Sequence, residues 1–240
     1  MKAIMSKPSI MINKLITLSL IIFLFSCNTE IKQKESENRA DTTNIQEITT
    51  NEDRKNIIFF GNSLTAGYGV DPSEAFTGRI QRKIDSLGLD YLAINAGVSG
   101  ETTASGLSRV EWVVKRQPVE IFVLELGGND GLRGIDPEET EKNLKAIIDK
   151  VRIIHPDVEI LLAGMMIPPN MGSAYASRFQ AVFPRVAEEK NVELIPFLLE
   201  DVGGVAKLNL PDGIHPTPEG HKIVSNTVWK FLRPMLQENG

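Results

Sequence analysis

Four short segments of the chain carry residues whose types and spacing can do chemistry. Gly61-Asn62-Ser63-Leu64-Thr65-Ala66-Gly67 sets a serine hydroxyl in a glycine-bounded turn after an apolar run, and glycine lets the backbone turn sharply at a strand end. Pro211-Asp212-Gly213-Ile214-His215-Pro216 sets an aspartate three residues before a histidine. At that spacing the carboxylate can fold back on one turn and hold one imidazole nitrogen, leaving the other to face a nucleophile. Asn95-Ala96-Gly97-Val98-Ser99-Gly100-Glu101-Thr102 ends where a helix begins, so free backbone N–H groups there can receive an anion. Gly127-Gly128-Asn129-Asp130-Gly131 holds an asparagine on a glycine turn, and its side-chain amide can donate to a developing oxyanion. The chemistry these types suit is attack by a hydroxyl, assisted by a base, with donors waiting for the negative charge that develops.

Each segment also has a plainer reading. Ser63 by itself fits a helix N-cap or a phosphate-cradling turn, although it is not in a G-x-S-x-G elbow and no Walker lysine follows it. The 95–102 segment is equally a glycine turn with an N-cap, and Asn129-Asp130 is a common turn pair. Of the three histidines, His155 falls at a predicted helix C-terminus before Pro156, a capping position. His221 falls inside the last predicted helix, without a carboxylate placed as Asp212 is for His215. No His-x-x-x-His pair or cysteine set favours zinc.

The elements that must position these segments are legible from periodicity. Apolar runs at 56–60, 91–95, 121–126, 158–163 and 192–196 read as strands. Between and after them, helices are predicted over 74–87, 102–116, 136–154, 174–190 and 217–236. In the first of these, Phe76, Ile80, Ile84 and Leu87 fall on one face. Asp136-Pro137 and Thr217-Pro218 each pair a cap with proline at the first helical position, and Pro118 stops the second helix. Strands alternating with helices predict an α/β chain, a three-layer α/β/α domain around a central five-stranded parallel sheet with right-handed crossovers. Ligands of such sheets bind at the carboxyl ends of the strands. Three of the four segments follow strands, and the fourth precedes the last helix.

The 240 residues are 42% hydrophobic and 24% charged, with a net charge of −5; this balance argues against a nucleic-acid partner. Lys2, Lys7 and Lys14 precede an apolar run over 15–25 that ends at Ser26-Cys27, which reads as an export signal too short to span a bilayer comfortably. Met11 would also serve as the start of such a signal. The sole cysteine excludes an intramolecular disulfide. Leu24-Phe25-Ser26-Cys27 resembles a lipobox, so Cys27 is expected to carry a lipid anchor; the alternative is an ordinary signal or membrane anchor with an incidental cysteine. The polar segment over 28–54 reads as a flexible tether. The expected organisation is therefore a lipoprotein signal over 1–27, a tether over 28–54 and one domain over 55–240, exported and membrane-anchored, facing the periplasm or cell exterior.

The four segments match, in kind and order, the blocks of the SGNH (GDSL-type) hydrolases, and the chain is similar to the thioesterase, lysophospholipase and arylesterase members of that family. The resemblance covers 56–237 and is most specific at 95–102, 126–134 and 212–216. It implies the family's flavodoxin-like fold and an acyl-enzyme mechanism on carboxylic esters or thioesters. In that mechanism Ser63 is the nucleophile, and Asp212 and His215 are the acid and base. The N–H groups of Ser63 and Gly100 and the side chain of Asn129 form the oxyanion hole. It implies no cofactor, a small acyl-ester or lipid substrate, and a monomer. One departure matters: Asn62 stands where the family usually has aspartate. In relatives the loop matching 165–172 borders the acyl groove, which marks Met166, Ile167 and Pro168 as substrate-binding candidates. Leu132-Arg133-Gly134-Ile135 resembles the loop that covers the acyl chain, adding Leu132 and Arg133. A carbohydrate O-acetyl esterase of the same fold and a non-catalytic surface-binding lipoprotein are the rival expectations. Intact Ser63, Gly100, Asn129, Asp212 and His215 argue against the second.

Overall fold

The computed structural model describes residues 54–236; the signal, Cys27 and the tether as far as residue 53 lie outside the described residues. The first strand, β1 (Lys55–Gly61), is an unbroken apolar run whose Ile57, Ile58, Phe59 and Phe60 are wholly buried. Such a run is what a parallel strand covered on both faces requires. The four-residue helix α1 (Ser63–Ala66) follows at once, then α2 (Phe76–Ser86), β2 (Tyr91–Gly97), α3 (Thr103–Val114) and β3 (Ile121–Glu125). After them come α4 (Gly128–Leu132), α5 (Pro137–Ile154), β4 (Glu159–Ala163), α6 (Ser173–Gln180), α7 (Val182–Lys190), β5 (Glu193–Ile195) and α8 (Pro218–Leu232).

The five strands form one parallel sheet in the order β2-β1-β3-β4-β5. α3 packs on α5 and α5 on α7, while α2 packs on α8, giving helices on both faces of the sheet. The chain steps from β1 outward to β2, then crosses back to β3, so the strand order reverses between β1 and β3. That reversal opens a crevice at the carboxyl ends, where doubly wound sheets bind their ligands. Register makes the crevice level: Gly61 pairs with Gly97 on one side and with Glu125 on the other. The segments that leave β1, β2 and β3 therefore start from one edge.

The caps read from the sequence are formed. Asp136 accepts from Glu138 N–H and Thr217 from Gly220 N–H, each with proline following. Four details differ from expectation. Leu87 is not on the buried face of α2: it is the C-cap residue and 54% exposed. The helix predicted over 174–190 is two helices that part at Ala181, because Pro184 cannot donate to the Gln180 carbonyl and its ring crowds that oxygen. The last helix ends at Leu232, and Pro234 lies in a closing 3-10 turn. α1 and α4 sit inside the segments read as loops. Among the described residues no helix is long and apolar enough to cross a membrane.

Candidate active site

The turn after β1 exists because its neighbours leave room for it. A Cβ on Gly61 would fall 2.2 Å from Thr65 Oγ1, and one on Gly97 would fall 2.3 Å from the Ala66 nitrogen. Glycine at both positions lets α1 seat directly on the ends of β1 and β2. Asn62 caps the helix, its Oδ1 accepting from Leu64 N–H at 2.9 Å, and Ser63 opens it with 9% exposure.

His215 reaches this serine from the other end of the chain. Its Nε2 lies 2.9 Å from Ser63 Oγ, and its Nδ1 lies 2.7 Å from Asp212 Oδ2. An ionised carboxylate only accepts, so the hydrogen of the neutral ring sits on Nδ1 and Nε2 is left to accept from the serine hydroxyl. Asp212 Oδ1 also accepts from the N–H groups of Ile214 (2.9 Å) and His215 (3.0 Å). The His215 backbone N–H, then its imidazole, then the Ile214 N–H hold the Asp212 carboxyl down at about 2. The loop bearing the pair is itself pinned. Leu210 N–H donates to His215 O (2.7 Å) and Thr217 N–H to Leu208 O (2.9 Å). The buried Asn209 amide donates to Val202 O (2.7 Å) and Val205 O (3.0 Å).

Beside Ser63, the Asn129 amide gives one hydrogen to Glu101 O at 2.9 Å, which leaves its second free. The N–H groups of Ser63 and Gly100 donate to no acceptor among the described residues. Gly100 has φ +80°, a left-handed conformation that favours glycine. Residues that sequence reasoning missed hold this loop. Arg109 grips buried Glu101 with two bonds of 2.5 Å and donates to Ala96 O at 2.8 Å. Its guanidinium also lies 4.0 Å from the Phe60 ring centroid. Buried Asp130 accepts from Thr103 N–H at 2.9 Å and Thr103 Oγ1 at 2.5 Å, tying α4 to the start of α3; burial raises its carboxyl above the ordinary value.

A cavity of about 490 Å³ opens at Ser63, Asn129 and His215. Leu132, Met166, Ile167 and Pro168 all line it, joined by Met165 and Phe197. Arg133 does not line it; its guanidinium donates to Gly100 O at 2.9 Å. Tyr68 was also missed. Half exposed, it lies over the His215 imidazole with ring centroids 4.5 Å apart. The other two histidines are structural. His155 caps α5 and bonds Val114 O at 2.8 Å. Buried His221 accepts from Phe76 N–H at 3.2 Å, and burial lowers its imidazole to about 4.

A hydroxyl bonded to an imidazole that is itself held by a carboxylate can lose its proton as it attacks an electrophilic carbon. Unpaired N–H groups beside it can take up the charge that results.

Residues 59–223 match the model of the GDSL-like Lipase/Acylhydrolase family. The chain is 37% identical over 180 residues to a Pseudomonas aeruginosa protein named esterase TesA, covering 75% of this chain and 89% of that one. It is 33% identical over 183 residues to the Escherichia coli protein named thioesterase 1/protease 1/lysophospholipase L1, covering 76% of this chain and 86% of the relative. A crystal structure titled TesA superposes with a TM-score of 0.73 at 36% identity, covering 76% of this chain and all of the other.

Proposed function

The chain belongs to the GDSL-like lipase/acylhydrolase family, and from that premise we propose how it works as a carboxylic ester hydrolase and on what. The observation that carries the reading is the run of contacts from Asp212 to His215 (2.7 Å) and from His215 to Ser63 (2.9 Å) beside unpaired N–H groups. Ser63 Oγ attacks the acyl carbon while His215 Nε2 takes its proton. The tetrahedral oxyanion lies against the N–H groups of Ser63 and Gly100 and the free hydrogen of Asn129. His215 then protonates the leaving alcohol or thiol, the carbon–leaving-group bond breaks, and an acyl-serine remains. Water, deprotonated by the same imidazole, releases the acid and restores Ser63. Asp212 keeps the ring in its orientation and stabilises the imidazolium.

The acyl part of the substrate occupies the cavity lined by Leu132, Met166, Ile167 and Pro168. Each methylene buried there contributes about 0.8 kcal/mol, so two added carbons raise kcat/KM by roughly tenfold until the cavity is full. This favours medium or long acyl chains over acetyl. Lysophospholipid and acyl-thioester substrates fit that choice, as does the name of the Escherichia coli relative. Export, and lipid anchoring through Cys27, complete the proposal and rest on the N-terminal sequence. A Cys27→Ala protein is expected to lose lipid labelling and leave the membrane fraction; unchanged labelling would exclude the anchor.

The test is hydrolysis of p-nitrophenyl esters from acetyl to palmitoyl by the domain and its Ser63→Ala variant. Activity that rises with chain length and vanishes in the variant supports the proposal. Serine-dependent activity confined to acetyl redirects it to carbohydrate acetyl esters. No activity from a folded domain sinks the catalytic assignment.

A further inference from the structure

Glu125 ends β3 directly beneath the Ser63 turn. It is 1% exposed, and among the described residues no cationic side chain forms a salt bridge with it. All four of its partners belong to that turn. Oε2 accepts from Asn62 N–H (3.1 Å), Thr65 N–H (3.3 Å) and Thr65 Oγ1 (2.8 Å), and Oε1 accepts from Asn62 Nδ2 (2.8 Å). Nearby, Arg109 is committed to Glu101 and meets the turn only at the Gly61 carbonyl, at 3.4 Å, and His215 faces Ser63 Oγ.

With asparagine at position 62, the polarity of this network is fixed. The Leu64 N–H can only donate, so Asn62 must present Oδ1 to it, and the same oxygen lies 3.4 Å from Ser63 Oγ. The Asn62 NH₂ is thereby turned toward Glu125, whose Oε1 must accept. Two backbone N–H groups oblige Oε2 to accept as well. A carboxylate meets these demands and a carboxamide in its place does not, because its NH₂ would face the NH₂ of Asn62. We infer that Asn62 and Glu125 form a matched amide–carboxylate pair that positions Ser63, Glu125 acting through Asn62 and Thr65 without touching substrate. The inference rests on Ser63 being the nucleophile. Burial raises the Glu125 carboxyl to about 7, the cost of keeping an acceptor there without a salt bridge.

A swap tests the pair. Asn62→Asp sets two acids 2.8 Å apart across the Oε1 contact, matched only while they share a proton, and Glu125→Gln sets two amides there. The double variant, Asn62→Asp with Glu125→Gln, restores the match with its direction reversed. The new amide on β3 donates to the new carboxylate on the turn, and the amide oxygen serves the two N–H groups and Thr65. The new carboxylate still accepts from Leu64 N–H. Assayed on the alkaline side, where the two acids of Asn62→Asp no longer share a proton, each single change should lower kcat for a p-nitrophenyl ester by about tenfold or more with KM within about twofold, since it displaces the nucleophile and leaves the acyl cavity intact. The double variant should recover to within about threefold of wild type, a coupling expected only of residues that share one contact. Additive losses, or single variants with wild-type kcat, overturn the inference. If Glu125→Gln fails to fold, the pH profile of Asn62→Asp decides. Its two acids must share a proton, so kcat should fall on the alkaline side where wild type does not; an unchanged alkaline limb overturns the pair. Ser63→Ala, run alongside, separates failure of the pair from failure of the mechanism, because only the latter leaves that variant active.

Discussion

Asp212 is bonded through both oxygens, yet its side chain is 38% exposed. Replacing a buried triad aspartate by asparagine costs about 10⁴ in kcat, through the wrong tautomer. Water can partly stand in here, so Asp212→Asn is expected to cost less than that while remaining well below wild type in steady-state kinetics. Its carboxyl lies near 2 and stays ionised well below neutrality, so any loss of activity above about pH 3 belongs to another group. Asn129→Ala removes one oxyanion donor and should lower kcat by roughly 10²–10³ with little change in KM. The residues that react were readable because they announce themselves locally: Asp212 and His215 lie within one turn, and Ser63 and Asn129 sit among glycines at strand ends. The residues that hold them were not. Glu125 is 63 positions from Asn62, and only the register of β1 on β3 brings them together. A signal was nevertheless present, a glutamate standing in the otherwise apolar run Ile121 to Leu126.

At the scale of elements, register does the positioning. Gly97 lets α1 rest on the end of β2, and the Cβ of Gly97→Ala would meet backbone, at 2.3 Å from Ala66 N. Overpacking of this kind costs about 1–3 kcal/mol, and it should appear both in the denaturation midpoint and in kcat, because the displaced element begins with Ser63. The loop after β2 depends on the Arg109–Glu101 pair. Arg109→Met leaves Glu101 buried without its cation, and breaking a buried pair costs about 3–5 kcal/mol. The Arg109 side chain is 22% exposed, which puts the expected loss in urea unfolding at the low end of that range. The strand and helix pattern was legible because apolar runs and caps are local signals. The division of α6 from α7 was not legible, because the amphipathic spacing continues through Ala181 and conceals the break that Pro184 imposes. α1 and α4 escaped notice because four or five residues are too few to show a helical period.

For the whole molecule, buried Glu125 and His221 contribute opposing dependences of stability on pH. Folded Glu125 keeps its proton up to about 7 against an ordinary value of 4.5. The native state therefore binds more protons in that window, and stability falls as pH rises through it. Folded His221 gives up its proton at about 4 against 6.5, so the unfolded state binds more protons and stability rises with pH between those values. Each contributes about 2 kcal/mol between about pH 5 and pH 7, with opposite sign. The two slopes therefore oppose each other in urea titrations of the wild type. Glu125→Gln should expose the His221 slope, gaining about 2 kcal/mol from pH 5 to pH 7. An unchanged slope in the variant would contradict the opposition.

The acid and base share one pinned loop, while the nucleophile belongs to the central strand. Their internal contact is made over three residues, so the loop carries it wherever it goes; the contact to Ser63 spans 152 positions. Local opening costs no more than global unfolding, and for loops often less. On warming, the loop can therefore swing away with its acid and base still joined while the sheet remains intact. Such a protein is expected to fall silent before it melts, with cooling restoring its turnover without any refolding of the core.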